Sequence, residues 1–265
     1  MEYKKMNDRF RIGRSMHCKE NIMIFDIISK IRFGLSLIRL WFSMLGTRFA
    51  KKKMSRDAYY QEILRRAKVH TSDLVRISRM NLMVEGLENI PDEPVVFMGN
   101  HQSYIDIYVT VTTLSRRLIL IGKKEILKIP IIGKLGREMN VLFLDRENPR
   151  EGLKTILEAI RLIKEESFDV LIYPEGTRSK SREMGEFHKG SFKIPQKSKA
   201  PIIPMVVNDA YKVFEDTYRV TPGVDVHLKF LPPIYMDQLT EDEVKNIDQV
   251  LKDRIQKELD AFNAK

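Results

Sequence analysis

The sequence is poor in the features that tie small proteins together from outside their cores. It has one cysteine, Cys18, in 265 residues. That excludes an internal disulfide and any zinc site built from several thiolates. Its five histidines (17, 70, 101, 188 and 227) never stand three or four residues apart. A helical two-histidine metal site is therefore absent too, and no metal is expected. Long hydrophobic runs are missing. Even with Arg39 disregarded, Phe33–Thr47 gives 15 residues, short of the ~20 that a membrane span needs. The first twenty residues are polar, with no small-residue cleavage site closing an apolar run, so no cleavable signal peptide is read there. No Gly-x-Ser-x-Gly elbow, internal repeat or low-complexity tract occurs.

What is present is a globular composition, 43% hydrophobic and 31% charged, at a length suited to one large domain with an accessory segment. The net charge of +10 is unevenly spread. Residues 1–80 hold 19 basic against 7 acidic residues, a net of +12, and residues 81–265 hold 27 against 29, a net of −2. The excess belongs to the N-terminal segment, which argues against a globally basic nucleic-acid binder. Ile24, Ile27, Ile28, Ile31, Leu35, Ile38, Phe42 and Leu45 recur at helical spacing within Ile22–Phe49. Trp41 and Phe49 stand among Arg32, Arg39, Arg48 and Lys51–Lys53. That mixture suits a helix lying in a membrane interface. A packed amphipathic helix, or a tilted span with snorkelling arginines, is the alternative. A second basic helix is expected from Arg56 to about Ile77, with Tyr60, Ile63, Leu64, Ala67, Leu74 and Val75 on its apolar stripe. The expected division is residues 1–80 as basic, membrane-docking helices and residues 81–265 as a folded domain.

From residue 81 the pattern becomes α/β. Strands are expected at Asn81–Val84, Val95–Met98, Leu118–Ile121, Val141–Leu144, Val170–Tyr173, Ile202–Val207 and Val224–Phe230. Helices are expected at Ile105–Leu114, within Ile126–Arg137 after Pro130, and from Asn148-Pro149 onward, where Asn is the N-cap and Pro the first helical residue. Thr240 and Glu243 form a capping box for one final helix. Short apolar strands separated by helices predict a largely parallel central sheet covered by helices.

Several of these strands end in polar residues, and ligand sites in open α/β sheets gather at the carboxyl ends of strands. The first ends in Asn100-His101-Gln102-Ser103-Tyr104-Ile105-Asp106. Five residues on a helix turn through about 140° the short way round, so His101 and Asp106 meet only if His101 lies on the turn and Asp106 in the next helix's first turn. With Ser103 as N-cap, Asp106 can fix the imidazole tautomer and leave the other nitrogen as a general base. The rival is that Ser103-x-x-Asp106 is simply a helix-start pattern. Further on stand Phe143-Leu144-Asp145-Arg146, then Tyr173-Pro174-Glu175-Gly176-Thr177-Arg178, then Pro201–Pro204. Gly176 permits close backbone approach and Arg178 offers a planar fork for phosphate oxygens. Taken singly, Arg146 and Arg178 could be solvated, and Pro204 could mark an edge strand.

In this order and spacing the four blocks resemble the glycerolipid acyltransferase family, and within it the bacterial 1-acyl-sn-glycerol-3-phosphate (lysophosphatidic acid) acyltransferases. The resemblance covers about residues 75–210, including Lys123-Lys124-Glu125 and His188–Lys193. It departs at Tyr173, where the family usually has Phe. It implies transfer of a fatty acyl group from acyl-CoA or acyl carrier protein to the sn-2 hydroxyl of 1-acylglycerol 3-phosphate, giving phosphatidic acid, with no cofactor. His101 is then the base and Asp106 its orienting carboxylate. Lys124, Arg146 and Arg178, with Glu175, Gly176 and Thr177, form the phosphate-binding group, Glu175 orienting either Arg178 or the acceptor. Asn100, Ser103, Phe143, Asp145, Pro174 and Pro204 support the motifs. Backbone N–H groups of the His101 turn or Gly176 are the candidates for stabilising the oxyanion. Direct transfer is expected, since Cys18 is remote in sequence and Ser103 reads as a cap. The expected partner is an anionic phospholipid membrane rather than nucleic acid, with the protein on its cytoplasmic face. Glycerol 3-phosphate or another lysophospholipid is the alternative acceptor. A non-catalytic basic membrane-binding protein is the alternative of a different kind.

Overall fold

The computed structural model describes residues 22–45, 53–139, 141–145 and 147–264. Cys18, Arg48, Phe49, Lys51, Lys52 and Arg146 lie outside these, as does the expected end of the first helix.

Residues 22–45 form helix α1. Helix α2 (Arg56–Ser78) starts at Ser55, whose side chain accepts the Ala58 N–H. The two run antiparallel: Leu40 and Met44 pack with Tyr59, Ile63 and Ala67, Ser36 pairs with His70 Nδ1 at 2.8 Å, and Ser29 reaches the Ile77 carbonyl. Arg39 and Asp73 form an ion pair across them. Helix α2 does not stand apart from the domain at residue 80. Tyr60 is buried in the main core, and its hydroxyl donates to the Leu118 carbonyl at 2.5 Å. Its apolar stripe is consumed by the fold, so of these two helices α1 is the one with an apolar face outward. On that face Met23, Ile24, Ile27, Ile28, Ile31, Leu35, Ile38 and Phe42 are exposed, up to 61% at Phe42. Among the described residues no helix is long and apolar enough to cross a membrane.

The sheet has seven strands among the described residues: β1 (Asn81–Glu85), β2 (Val96–Gly99), β3 (Leu118–Lys123), β4 (Leu142–Leu144), β5 (Asp169–Ile172), β6 (Ile202–Asn208) and β7 (Asp225–Phe230). Each lies within two residues of its expected place. Their spatial order is β1-β7-β6-β2-β5-β3-β4. Strands β6, β2, β5, β3 and β4 are mutually parallel, β7 is antiparallel to β6, and β1 runs parallel to β7. Helices α3 (Ile105–Thr113), α4 (Pro130–Glu138), α5 (Pro149–Glu166), α6 (Lys193–Ser198), α7 (Glu241–Lys245) and α8 (Ile247–Asn263) complete the chain.

Apart from Asp169 and Asn208 at strand ends, strands β2, β5 and β6 are apolar because both faces are covered. Successive residues alternate between two cores. Val96, Met98, Val170, Ile172 and Ile202 join α5, α6 and α8 on one side, while Phe97, Leu171, Ile203 and Met205 join α3 and β7 on the other. Gly99 ends β2 where a Cβ would stand 2.4 Å from the Met205 carbonyl oxygen. Only glycine lets β2 and β6 come this close at the head of the His101 turn.

The helix expected after Pro130 is present as α4; a 3-10 turn (Lys124–Lys128) precedes it, because Ile129 before Pro130 is extended (φ −87°, ψ 112°), as residues before proline tend to be. Two readings are corrected. The final helix is two: the Thr240–Glu243 box caps α7, but the Asn246 amide donates back to the Asp242 carbonyl and the chain re-enters a helix as α8. Such local side-chain bonds compete with the helical ladder. Pro204 is not on an edge strand. It lies in β6 between β2 and β7, where the β6–β7 ladder begins only at Met205, so its missing donor falls beside the ladder rather than within it.

Candidate active site

The adjacency of β2 and β5 brings the turn after β2 (residues 100–104) against the turn after β5 (173–178). Asn100 fixes the first turn from below. Its buried amide donates to the Val207 carbonyl at 2.8 Å and accepts the Val207 N–H at 2.9 Å, so it acts as a further rung between β2 and β6. Beyond it, the backbone N–H groups of four consecutive residues are taken by three buried carboxylates. Glu175 Oε1 accepts His101 N–H at 2.7 Å. Asp106 Oδ2 accepts Gln102 N–H at 2.7 Å and Ser103 N–H at 2.9 Å. Glu215 Oε1 accepts Tyr104 N–H at 3.0 Å.

The same Asp106 oxygen lies 2.7 Å from His101 Nδ1. The contacts behind both readings of Ser103-x-x-Asp106 are present, because one carboxylate oxygen caps the turn and meets the ring. A carboxylate accepts, so Nδ1 carries the proton and Nε2 presents a lone pair. Among the described residues Nε2 has no hydrogen bond. The Asp106 side chain is fully buried and that of His101 13% exposed, which leaves one edge of the ring open to a substrate. The ring is stacked on Tyr173, with centroids 4.1 Å apart and planes 14° apart. Tyr173 is itself buried, and burial with the Asp106 charge nearby pushes its phenol well up.

Ser103 serves the turn rather than acting as the N-cap itself, a position held by Tyr104. Its hydroxyl accepts the Ile105 N–H at 2.9 Å and donates to Glu215 Oε2 at 2.6 Å. Glu175 is also corrected. Arg178 is not its partner: Oε1 accepts His101 N–H, Oε2 accepts Gly185 N–H at 2.8 Å, and the residue is buried. Burial pushes its carboxyl up, against the two N–H bonds that favour its charge. Pro174 is buried beside it, and its carbonyl accepts the His188 N–H. The oxyanion candidates are corrected for a related reason. The N–H groups of residues 101–104 are occupied as described, and Gly176 N–H donates to the Tyr173 carbonyl at 2.9 Å in a turn that puts Gly176 at φ 66°.

Arg178 is held on two sides. Nη1 meets Glu215 Oε1 at 2.9 Å, and the guanidinium lies 3.5 Å from the centroid of the Tyr104 ring, a cation–π contact. Thr177 is exposed at the same turn. Lys124, after β3, pairs with Asp145, after β4, at 2.7 Å. Each shifts the other: Lys124 is held up and Asp145 down. Asp145 also accepts the N–H groups of Glu147 and Asn148, and Phe143 supplies a carbonyl to Thr155. Arg146 lies outside the described residues. The residue that sequence reasoning missed is Glu215. It stands in no motif, in the irregular segment between β6 and β7, and its partners are 112 and 37 residues away.

Parallel strands whose carboxyl ends carry a carboxylate-oriented histidine beside a fixed arginine define an α/β protein with a candidate site at the strand ends. Comparison with known proteins narrows the class. Residues 81–208, just under half of the chain, match the Acyltransferase family model. It is 29% identical over 173 residues to a 1-acyl-sn-glycerol-3-phosphate acyltransferase of Limnanthes douglasii, covering 65% of this chain and 61% of that one. It thus spans less than two thirds of that plant relative. A Saccharomyces cerevisiae protein of the same name is 26% identical over 246 residues, covering 92% and 78%. The crystal structure of the 1-acyl-sn-glycerophosphate acyltransferase PlsC from Thermotoga maritima superposes with a TM-score of 0.75 at 22% identity, over 91% of this chain and 99% of that one. That likeness concerns the fold.

Proposed function

We propose that this protein transfers a fatty acyl group from an acyl thioester, acyl-CoA or acyl carrier protein, to the sn-2 hydroxyl of 1-acyl-sn-glycerol 3-phosphate, giving phosphatidic acid. The observation that carries this reading is the His101–Asp106 pair, with Nε2 open and Arg178 fixed on the neighbouring turn. Nε2 takes the proton of the acceptor hydroxyl as its oxygen attacks the thioester carbonyl. The imidazolium so formed faces Asp106 across the 2.7 Å contact, which stabilises it. Collapse of the tetrahedral intermediate expels the thiolate, and the proton on Nε2 neutralises it. Arg178, with Lys124 further along the sheet, receives the acceptor's phosphate. Transfer is direct. Ser103 Oγ is engaged with Glu215 and Ile105, so it is not offered to His101 as a nucleophile.

The outward apolar face of α1 is the surface that lies on an anionic bilayer, where the acceptor and product reside. It also favours a lipid acceptor over water-soluble glycerol 3-phosphate. The test compares wild type with His101→Ala, giving each lysophosphatidic acid, glycerol 3-phosphate and lysophosphatidylcholine with both donor types. Transfer to lysophosphatidic acid should dominate and vanish in the variant, while liposome binding persists. Undiminished turnover in His101→Ala, or a stable acylated protein formed with donor alone, would overturn the mechanism.

A further inference from the structure

Glu215 is 4% exposed, and a carboxylate is rarely buried so deeply without a task. Its two oxygens gather three donors from two motifs. Oε2 takes the Ser103 hydroxyl at 2.6 Å, and Oε1 takes Tyr104 N–H at 3.0 Å and Arg178 Nη1 at 2.9 Å. Two of these donors belong to the turn that carries His101, and the third is the cation assigned above to the acceptor phosphate. Tyr104 closes the arrangement by lying against the Arg178 guanidinium.

We propose that Glu215 is a positioning residue for the acceptor. It fixes Arg178 relative to the His101 turn, so that a phosphate captured by Arg178 leaves the hydroxyl at one set distance from Nε2. An arginine side chain has four rotatable bonds, and immobilising it before binding lowers the entropy lost on binding. One Nη1 is committed to Glu215 and one face to Tyr104, which leaves the remaining edge of the fork for phosphate oxygens. The role rests on the acyl transfer proposed above.

The test is the steady-state kinetics of Glu215→Gln with 1-oleoylglycerol 3-phosphate and oleoyl donor, alongside Arg178→Ala and the double variant. The KM for the acceptor should rise about ten- to hundredfold, the worth of a hydrogen bond to a charged group. The KM for the donor should stay within twofold. In the Arg178→Ala background the Glu215 substitution should add almost nothing to the acceptor KM, because its effect passes through that arginine. A merely structural role would instead lower kcat with both substrates and add fully to Arg178→Ala. Should Glu215→Gln fail to fold by thermal unfolding, Glu215→Asp, one methylene too short for all three donors, makes the same prediction. An unchanged acceptor KM, or full additivity, overturns the role of Glu215 alone. A wild type that acylates no lysophosphatidic acid with either donor overturns the acyl-transfer reading and this role with it.

Discussion

Replacing Asp106 by Asn separates the two tasks that one oxygen performs. Asn caps backbone N–H groups as well as Asp does, so the bonds to Gln102 and Ser103 can be kept without the charge. The stability cost should be about 1 kcal/mol or less, a change of only a few degrees in Tm for a chain of this size. Catalysis should respond differently. The imidazolium on His101 exists only once the acceptor hydroxyl has lost its proton, so the interaction with Asp106 favours the transition state over the ground state. Unit charges about 4 Å apart at an effective dielectric near 20 attract by about 4 kcal/mol, and losing most of that slows the reaction about 10²- to 10³-fold. If the amide turns its nitrogen to the ring, the tautomer is inverted and the loss approaches about 10⁴. The loss should fall on kcat, with both KM values near wild type, as expected when an interaction belongs to the transition state. Initial rates over a grid of donor and acceptor concentrations measure this, with Tm as the control. A kcat within threefold of wild type in a folded Asp106→Asn protein would reduce Asp106 to a cap and remove the orienting role.

Arg178→Lys keeps a charge but loses the fork that spans Glu215 and a phosphate, and the acceptor KM should rise about tenfold with the donor KM unchanged; equal KM values would make the arginine incidental. Ile31→Glu with Leu35→Glu places two charges on the outward face of α1. Half-burying two such side chains in a bilayer is worth about 2 kcal/mol, so sedimentation with anionic liposomes should weaken about thirtyfold or more, and unchanged sedimentation would exclude that face as the docking surface. His70 gives a pH signature at the α1–α2 contact. Burial, aided by the Arg39 charge, pushes its imidazole down to about 4 from an ordinary 6.5. Above pH 6.5 both states are neutral there and it contributes no pH dependence. Between pH 6.5 and 4 only the unfolded chain takes up the proton, so stability falls by about 3 kcal/mol, and below pH 4 the loss levels off. Urea unfolding at pH 7 and 4.5 should show that drop in wild type and a smaller one in His70→Gln; parallel curves would refute the buried neutral imidazole.

Much of the fold was legible because its signals are local. The seven apolar runs became seven strands, since residues that alternate between two covered faces must be apolar at every position. Asn148 accepts the N–H groups of Arg150 and Glu151, and Thr240 accepts that of Glu243, as their positions before helices foretold. The breaks were less legible. Nothing local distinguishes an Asn that continues a helix from Asn246, which turns back on Asp242. Helix α2 was read as a docking element from its basic residues, whereas its apolar stripe is buried against α1 and the domain core.

The site divides along the same line. The sequence by itself determined that His101 and Asp106 could meet only across a turn into a helix, that the polar blocks would gather at strand ends, and that Arg178 would be a cation on such a turn. Each follows from spacing within a few residues, where backbone geometry leaves few choices. The tertiary structure decided who partners whom. The β2–β5 and β2–β6 adjacencies set Glu175 on the His101 N–H and Asn100 on Val207. The segment after β6 brought Glu215 to Ser103, Tyr104 and Arg178. Strand order and loop course are fixed by the sum of burial over the whole sheet, which no single segment encodes. So a carboxylate without a motif became the link between the two motifs that form the candidate site.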